Sequence, residues 1–201
     1  MFPLKLSSPK RVRRGTIKMT QSQADSLLLS GNMNSRIFLI GFMGSGKSTH
    51  GKLLARKIGY EYKDMDQLIE DTAEMSIPTI FKEHGEAVFR KWEHDILLEL
   101  CRLDRLVVST GGGAPCHGEM MQIMNEHGDT IYIQLPPETL RDRLLHSPTE
   151  RPLIKGKSKT ELLEYISLLL AEREYYYKQA RHSINGLNLQ VEDLVSVLGH
   201  S

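Results

Sequence analysis

The chain has 201 residues, 40% of them hydrophobic and 25% charged, with 26 Lys and Arg against 25 Asp and Glu, and a net charge of +1. That balance, with aromatic content of only 6%, argues against nucleic acid or an anionic membrane as a partner. No apolar run approaches the roughly 20 residues a membrane span needs, and Cys101 and Cys116 give neither a disulfide framework nor metal-ligand spacing, so they read as free thiols of a reducing cytosol.

Residues 1–34 stand apart. They carry Lys5, Lys10, Arg11, Arg13, Arg14 and Lys18 against a single acid, Asp25, and show no sustained period. Three readings stay open: a disordered basic arm or residues upstream of a true start at Met19 or Met33, a transit peptide, and a polyanion-binding tail. The first implies a cytoplasmic protein; the second implies a plastid. The remaining 35–201 reads as one domain.

Ile37–Ile40 is a short apolar run of the kind a buried parallel strand needs. Gly41–Ser48 follows, fitting G-x-x-x-x-G-K-[ST] at every fixed position, and Lys47–Ile58 then has helical spacing. Strand, loop and helix in that order are the context of a phosphate-binding loop. Glycines let backbone N–H groups surround a phosphate, and the helix start adds partial positive charge. Gly44, Ser45, Gly46, Lys47, Ser48 and Thr49 are therefore candidate ligands for the phosphates of a nucleotide, with Lys47 reaching the outer phosphates and Ser48 offering a hydroxyl to Mg²⁺.

Beyond the loop, Tyr60–Asp64 reads as a second strand and Gln67–Thr72 as a helix. Ile77–His84 is a short helix with Pro78 in its first turn, broken by Gly85, and Glu86–Leu100 is a longer one with Val88, Trp92, Ile96 and Leu100 on one face. Leu106–Ser109 is the third strand, Gly118–Glu126 a helix, Thr130–Leu135 the fourth strand, and Glu138–Leu145 a helix. The polar segment 146–159 has the character of a closing lid. Thr160–Gln179 is a long helix, His182–Ile184 a weak fifth strand, and Val191–Leu198 the last helix. Strands alternating with helices imply an α/β fold, a parallel sheet covered on both faces, with ligands outside the carboxyl ends of the strands.

Several polar features fall at those ends. Asp64-Met65-Asp66, read as extended, points both carboxylates one way, one for the metal and one for an acceptor hydroxyl; a helix cap by Asp66, just ahead of Gln67–Thr72, is an equal alternative. Arg90 and Glu93 sit at i and i+3 of a helix, close enough to pair; taken alone, a solvent-side ion pair is the favoured reading, because such pairs are common and weak. Gly111, Gly112 and Gly113 let a ligand approach backbone closely. Arg151-Pro152-Leu153 places one cation in the lid, and Arg173 lies between Glu172 and Glu174 on the long helix. Tyr175, Tyr176 and Tyr177 read as partial core.

Together these segments resemble the shikimate kinase family from about Arg36 to the C-terminus. The resemblance implies a three-layer α/β/α P-loop kinase fold with a five-stranded parallel sheet in order 2-3-1-4-5, similar to nucleoside monophosphate kinases. It implies transfer of the γ-phosphoryl of ATP to the 3-hydroxyl of shikimate, with Mg²⁺ and no nucleic acid or membrane partner, in a monomer. Ser48 would bind Mg²⁺ directly and Asp64 through water. Lys47, Asp66 and Arg151 would be catalytic, Asp66 on the acceptor hydroxyl and Arg151 over the transferring phosphate. Arg90 and Arg173 would grip the substrate carboxylate, with Glu93 orienting Arg90 and Gly111–Gly113 lining the substrate. Arg143 corresponds to an arginine that stacks on adenine. The sequence departs from the family at Asn185-Gly186-Leu187-Asn188, near the adenine contacts. A gluconate kinase of the same fold is the competing enzyme. A binding module that has lost catalysis would show erosion of Lys47, Asp66, Arg90 or Arg173, all of which are present.

Overall fold

β1, Arg36–Ile40, runs through the middle of a five-stranded sheet in a computed structural model that describes residues 36–147 and 156–199. The basic arm, and Arg151, Pro152 and Leu153 of the proposed lid, lie outside the described residues. β1 alternates faces as a pleated strand must. Ile37 and Leu39 join one apolar cluster, with Leu54 and Ala55 of α1 (Lys47–Ile58) and Leu194 and Leu198 of α7 (Val191–Leu198). Phe38 and Ile40 join a larger cluster on the opposite face. A strand buried on both sides reads as the unbroken apolar run seen in the sequence.

β2 (Glu61–Asp64), β3 (Leu106–Ser109), β4 (Asp129–Gln134) and β5 (His182–Asn185) complete the sheet in order β2-β3-β1-β4-β5, every pairing parallel. This is the order the resemblance implies. Leu39 pairs with Ser109 and with Ile131, and because both pairings are parallel the carboxyl ends of the three central strands deliver their loops to one edge.

The helices between them are α2 (Met65–Ala73), α3 (Ile77–Leu100), α4 (Met120–His127), α5 (Pro137–Leu145) and α6 (Lys159–Tyr177). A capping box of Ser158 and Glu161 starts α6, and Ser76 caps α3 with Pro78 in its first turn. The two helices expected before and after Gly85 are the arms of α3, broken where Gly85 takes φ 79° and ψ 170°. One expectation is corrected. Asp64-Met65-Asp66 is not extended: α2 begins at Met65, and the Asp64 carboxylate caps it by accepting from Gln67 N. Asp64 wins the cap because burial of Met65 in the larger cluster fixes the first turn two residues earlier than the pattern suggested. Asp64 therefore ends β2 while Asp66 stands in the first turn of α2, so the two carboxylates do not follow strand alternation.

Candidate active site

The loop from β1 to α1 is shaped for an anion. Gly46 stands at the N-cap of α1 with φ 97°, a left-handed conformation that side chains resist, and no side chain caps the helix. The first-turn N–H groups are left without an intrahelical acceptor, as a bound phosphate requires. Lys47 is 8% exposed, and its Nζ donates to Gly41 O at 2.7 Å and Phe42 O at 2.9 Å. Ser48 and Thr49 are exposed beside it, while Ser45 is buried within the loop.

Ser48 Oγ donates to Asp64 Oδ2 at 2.8 Å, and Tyr62 Oη donates to the same oxygen at 3.0 Å. Burial pushes the Tyr62 phenol up to about 12, so it remains a donor across the neutral range. Tyr62 was not singled out in the sequence, although its place two residues before Asp64 on one strand puts both on the same face.

Asp66, in the first turn of α2, faces Gly111 just past the end of β3. A Cβ built on Gly111 would stand 2.6 Å from Asp66 Oδ1 and 3.2 Å from Glu93 Oε1. One built on Gly113 would stand 3.4 Å from both terminal nitrogens of Arg90 and 3.8 Å from Arg173 Nη2, and one on Gly112 would stand 3.7 Å from Arg173 Nη1. The triple glycine is thus a floor against which a carboxylate and two guanidinium groups converge. Tyr177 Oη, at the end of α6, donates to Gly112 O and holds that floor to the helix that carries Arg173. The Arg173 guanidinium also lies 5.8 Å above the Phe42 ring. It is half-buried, so the solvated-charge reading of Arg173 does not hold.

Arg90 Nη1 donates to Glu93 Oε2 at 2.8 Å. Glu93 is 2% exposed, which replaces the solvent-side reading of this pair with an internal one. Burial pushes the Glu93 carboxyl up from its ordinary 4.5; the hydrogen bond and charge of Arg90 oppose the rise, Asp66 adds to it, and Arg173 opposes it. Two further groups feel the charges of Arg90 and Arg173: His117, which the sequence did not single out, and Cys116, read there only as a free thiol. Burial, then Arg90, lowers the pKa of His117, and burial raises the Cys116 thiol to about 11.

Arg143 reaches out of α5 to bind two loops. Its Nη1 donates to Ser45 O at 3.0 Å and its Nη2 to Gly186 O at 3.2 Å. It ties the phosphate loop to the segment after β5, the same segment that departs from the family pattern. His50 packs against Gly46 beside it, and burial followed by the Arg143 charge lowers the His50 pKa.

The site therefore offers a phosphate cradle, a hydroxyl paired with a carboxylate, and a second group in which Asp66, Glu93 and two arginines meet over bare backbone. The family model for shikimate kinase matches residues 43–198. Shikimate kinase from Bacteroides thetaiotaomicron is 39% identical over 155 residues, 77% of this chain and 89% of that one, and a crystal structure of shikimate kinase from that organism aligns with a TM-score of 0.77, covering 82% and 96%. A structure of shikimate kinase from Acinetobacter baumannii in complex with shikimate is 31% identical, with a TM-score of 0.70 over 84% and 92% of the two chains. A gluconokinase from Sinorhizobium meliloti shares only the fold, at 14% identity and a TM-score of 0.51 over 84% and 91%.

Proposed function

The chain belongs to the shikimate kinase family, and from that premise we propose that it moves the γ-phosphoryl of ATP onto the 3-hydroxyl of shikimate, giving shikimate 3-phosphate and ADP, with the residues gathered on the triple glycine holding the acceptor. The observation that carries the assignment of residues is the convergence of Asp66, Arg90 and Arg173 on Gly111–Gly113. A substrate with one carboxylate and one reacting hydroxyl has a matching partner for each. The guanidinium fork suits the carboxylate, and the missing Cβ atoms admit a flat ring against backbone.

Lys47 and the first-turn amides of α1 bind the outer phosphates, which then replace the loop carbonyls as acceptors of the Lys47 ammonium. Asp66 accepts a hydrogen bond from the acceptor hydroxyl. As that oxygen bonds to the γ-phosphorus and the bond to the ADP oxygen breaks, Asp66 takes the proton. Arg90 and Arg173 hold the ring by its far end, so the hydroxyl points at the phosphate rather than diffusing. Arg151, proposed to arrive on the lid, adds positive charge where the transferring group carries its charge.

Mg²⁺ is the expected metal, and the donor set fits it: a hydroxyl and a carboxylate 2.8 Å apart, both oxygen donors. Ser48 would bind it directly and Asp64 through water; when bound it neutralises phosphate charge. Arg143 shapes the adenine end by fixing the loop at Gly186. A monomer in the bacterial cytoplasm fits a site built within one chain and relatives that are bacterial, and these lend no support to a plastid. Among the described residues no helix is long and apolar enough to cross a membrane.

A coupled ATP-consumption assay comparing shikimate, quinate and gluconate tests the proposal. Turnover should be strong with shikimate and near background with gluconate. Equal turnover with gluconate, or ATP consumption indifferent to the acceptor, would refute it.

A further inference from the structure

Arg90 has a second carboxylate partner that the reading above does not use. Its Nε and Nη2 donate to one oxygen, Glu86 Oε1, at 3.2 and 3.1 Å, while Nη1 is held by Glu93. The Nε–Nη2 edge is one of the two edges through which a guanidinium takes a carboxylate with paired hydrogen bonds. In the free protein that edge is filled from within.

The two glutamates differ in what it costs to release them. Glu93 is 2% exposed and has nowhere to go; Glu86 is 59% exposed and can turn into water. Glu86 also directly follows the break at Gly85, where an added Cβ would meet nothing within 4 Å. Glycine there serves the backbone conformation alone, and Glu86 opens the second arm of α3, one turn before Arg90. Charge points the same way. Arg90 and Arg173 bring two positive charges to the floor, while Glu86, Glu93 and Asp66 bring three carboxylates. A ligand carboxylate entering a group already rich in acids gains most if one resident carboxylate leaves, and Glu86 is the exposed one.

We propose that Glu86 is a resident stand-in for the substrate's carboxylate: it holds the Nε–Nη2 edge of Arg90 in the free enzyme and yields it when the acceptor binds. This rests on the reading that Arg90 and Arg173 take the shikimate carboxylate. Glu86 is then a positioning residue. It keeps the guanidinium aimed before substrate arrives, and it sets a threshold that only an anionic ligand can pay back, so neutral polyols gain nothing at Arg90.

Calorimetric binding of shikimate to the full chain tests it, comparing wild type with Glu86→Gln, Glu86→Ala and Arg90→Lys, and using shikimate methyl ester as the uncharged probe. Exposed ion pairs are weak, so both Glu86 variants should bind shikimate about two- to fivefold more tightly than wild type. The methyl ester should bind all three alike, and the KM for ATP should stay unchanged. Unchanged or weaker shikimate binding in both Glu86 variants overturns the proposal and leaves Glu86 as an orienting or surface partner. Tighter binding of ester and acid alike also overturns it, because the effect is then not one of competing carboxylates. If Arg90→Lys binds shikimate as well as wild type does, the carboxylate reading of the clamp itself fails, and the proposal falls with it.

Discussion

Ser48 Oγ donates to Asp64 Oδ2 at 2.8 Å, joining the first turn of α1 to the end of β2 across the mouth of the phosphate loop. Asp64 therefore has two tasks, since its other oxygen caps α2. The tasks can be separated. Asp64→Ser keeps a capping oxygen but removes the charge beside Ser48, so the Tm should stay near wild type while the Mg²⁺ needed for half-maximal turnover rises. Asp64→Ala also loses the cap, a cost of about 1 kcal/mol, which should lower the Tm by about 2–4 °C in a domain of this size. Thermal melts and Mg²⁺ titrations of the two variants check this. Equal Mg²⁺ dependence in wild type and Asp64→Ser would remove Asp64 from the metal side.

Gly111→Ala should act on chemistry more than on stability. Its Cβ would fall 2.6 Å from Asp66 Oδ1, so the carboxylate must move. A displacement of that kind, about 1 Å, can cost on the order of 100-fold in rate. Steady-state kinetics should show kcat falling by that order, with the KM for ATP little changed. A kcat within a factor of three of wild type would mean that Asp66 does not need its position against the floor.

Much of this was legible in the sequence, for a physical reason. The run Ile37–Ile40, the loop Gly41–Ser48 and the break at Gly85 each depend on local backbone chemistry, and each stands where the residues put it. The order of the strands came from the resemblance, since alternation alone gives a parallel sheet without its order. For Asp64 and Asp66 the sequence left two readings, because alternation cannot distinguish an extended pair from a cap followed by a first turn; burial of Met65 decides for the cap, and places it on Asp64 rather than Asp66. Glu86, Tyr62 and the Tyr177 bond to Gly112 O could not be ranked from spacing, because their partners are set by how α3, β2 and α6 pack. The face read along Val88, Trp92, Ile96 and Leu100 was half right: Ile96 and Leu100 are buried, but so are Phe89, Glu93 and Leu97, which turns the buried face toward the site.

Gly85→Ala isolates backbone strain. No neighbour lies within 4 Å of the added methyl, so the cost is that of forcing φ 79° and ψ 170° on a side-chain-bearing residue. That should be about 1–3 kcal/mol, visible as a lower denaturation midpoint in urea with an unchanged slope. Wild-type stability in this variant would mean that the break can relax without glycine.

Glu93 gives the stability a signed dependence on pH. Its folded pKa lies above its ordinary 4.5, so the folded chain holds that proton more tightly than the unfolded one does. Its contribution is full below the unfolded pKa and is lost as pH rises through the folded one. Glu93→Gln cannot titrate. The difference in Tm, Glu93→Gln minus wild type, should therefore grow more positive as pH rises from 4.5 through the raised pKa. Melts of both proteins from acetate to neutral buffer check the sign, and a flat or falling difference would contradict it.

The central claim is that Asp66, set against Gly111, handles the proton of the acceptor hydroxyl. Asp66→Asn keeps the shape and removes the base, so single-turnover measurement with shikimate and ATP is the most direct test. General-base contributions run to about 10²–10⁴-fold. The account predicts a transfer rate lowered by at least 100-fold, with shikimate affinity within a few-fold of wild type because Arg90 and Arg173 are intact. A transfer rate near wild type in folded Asp66→Asn would contradict it.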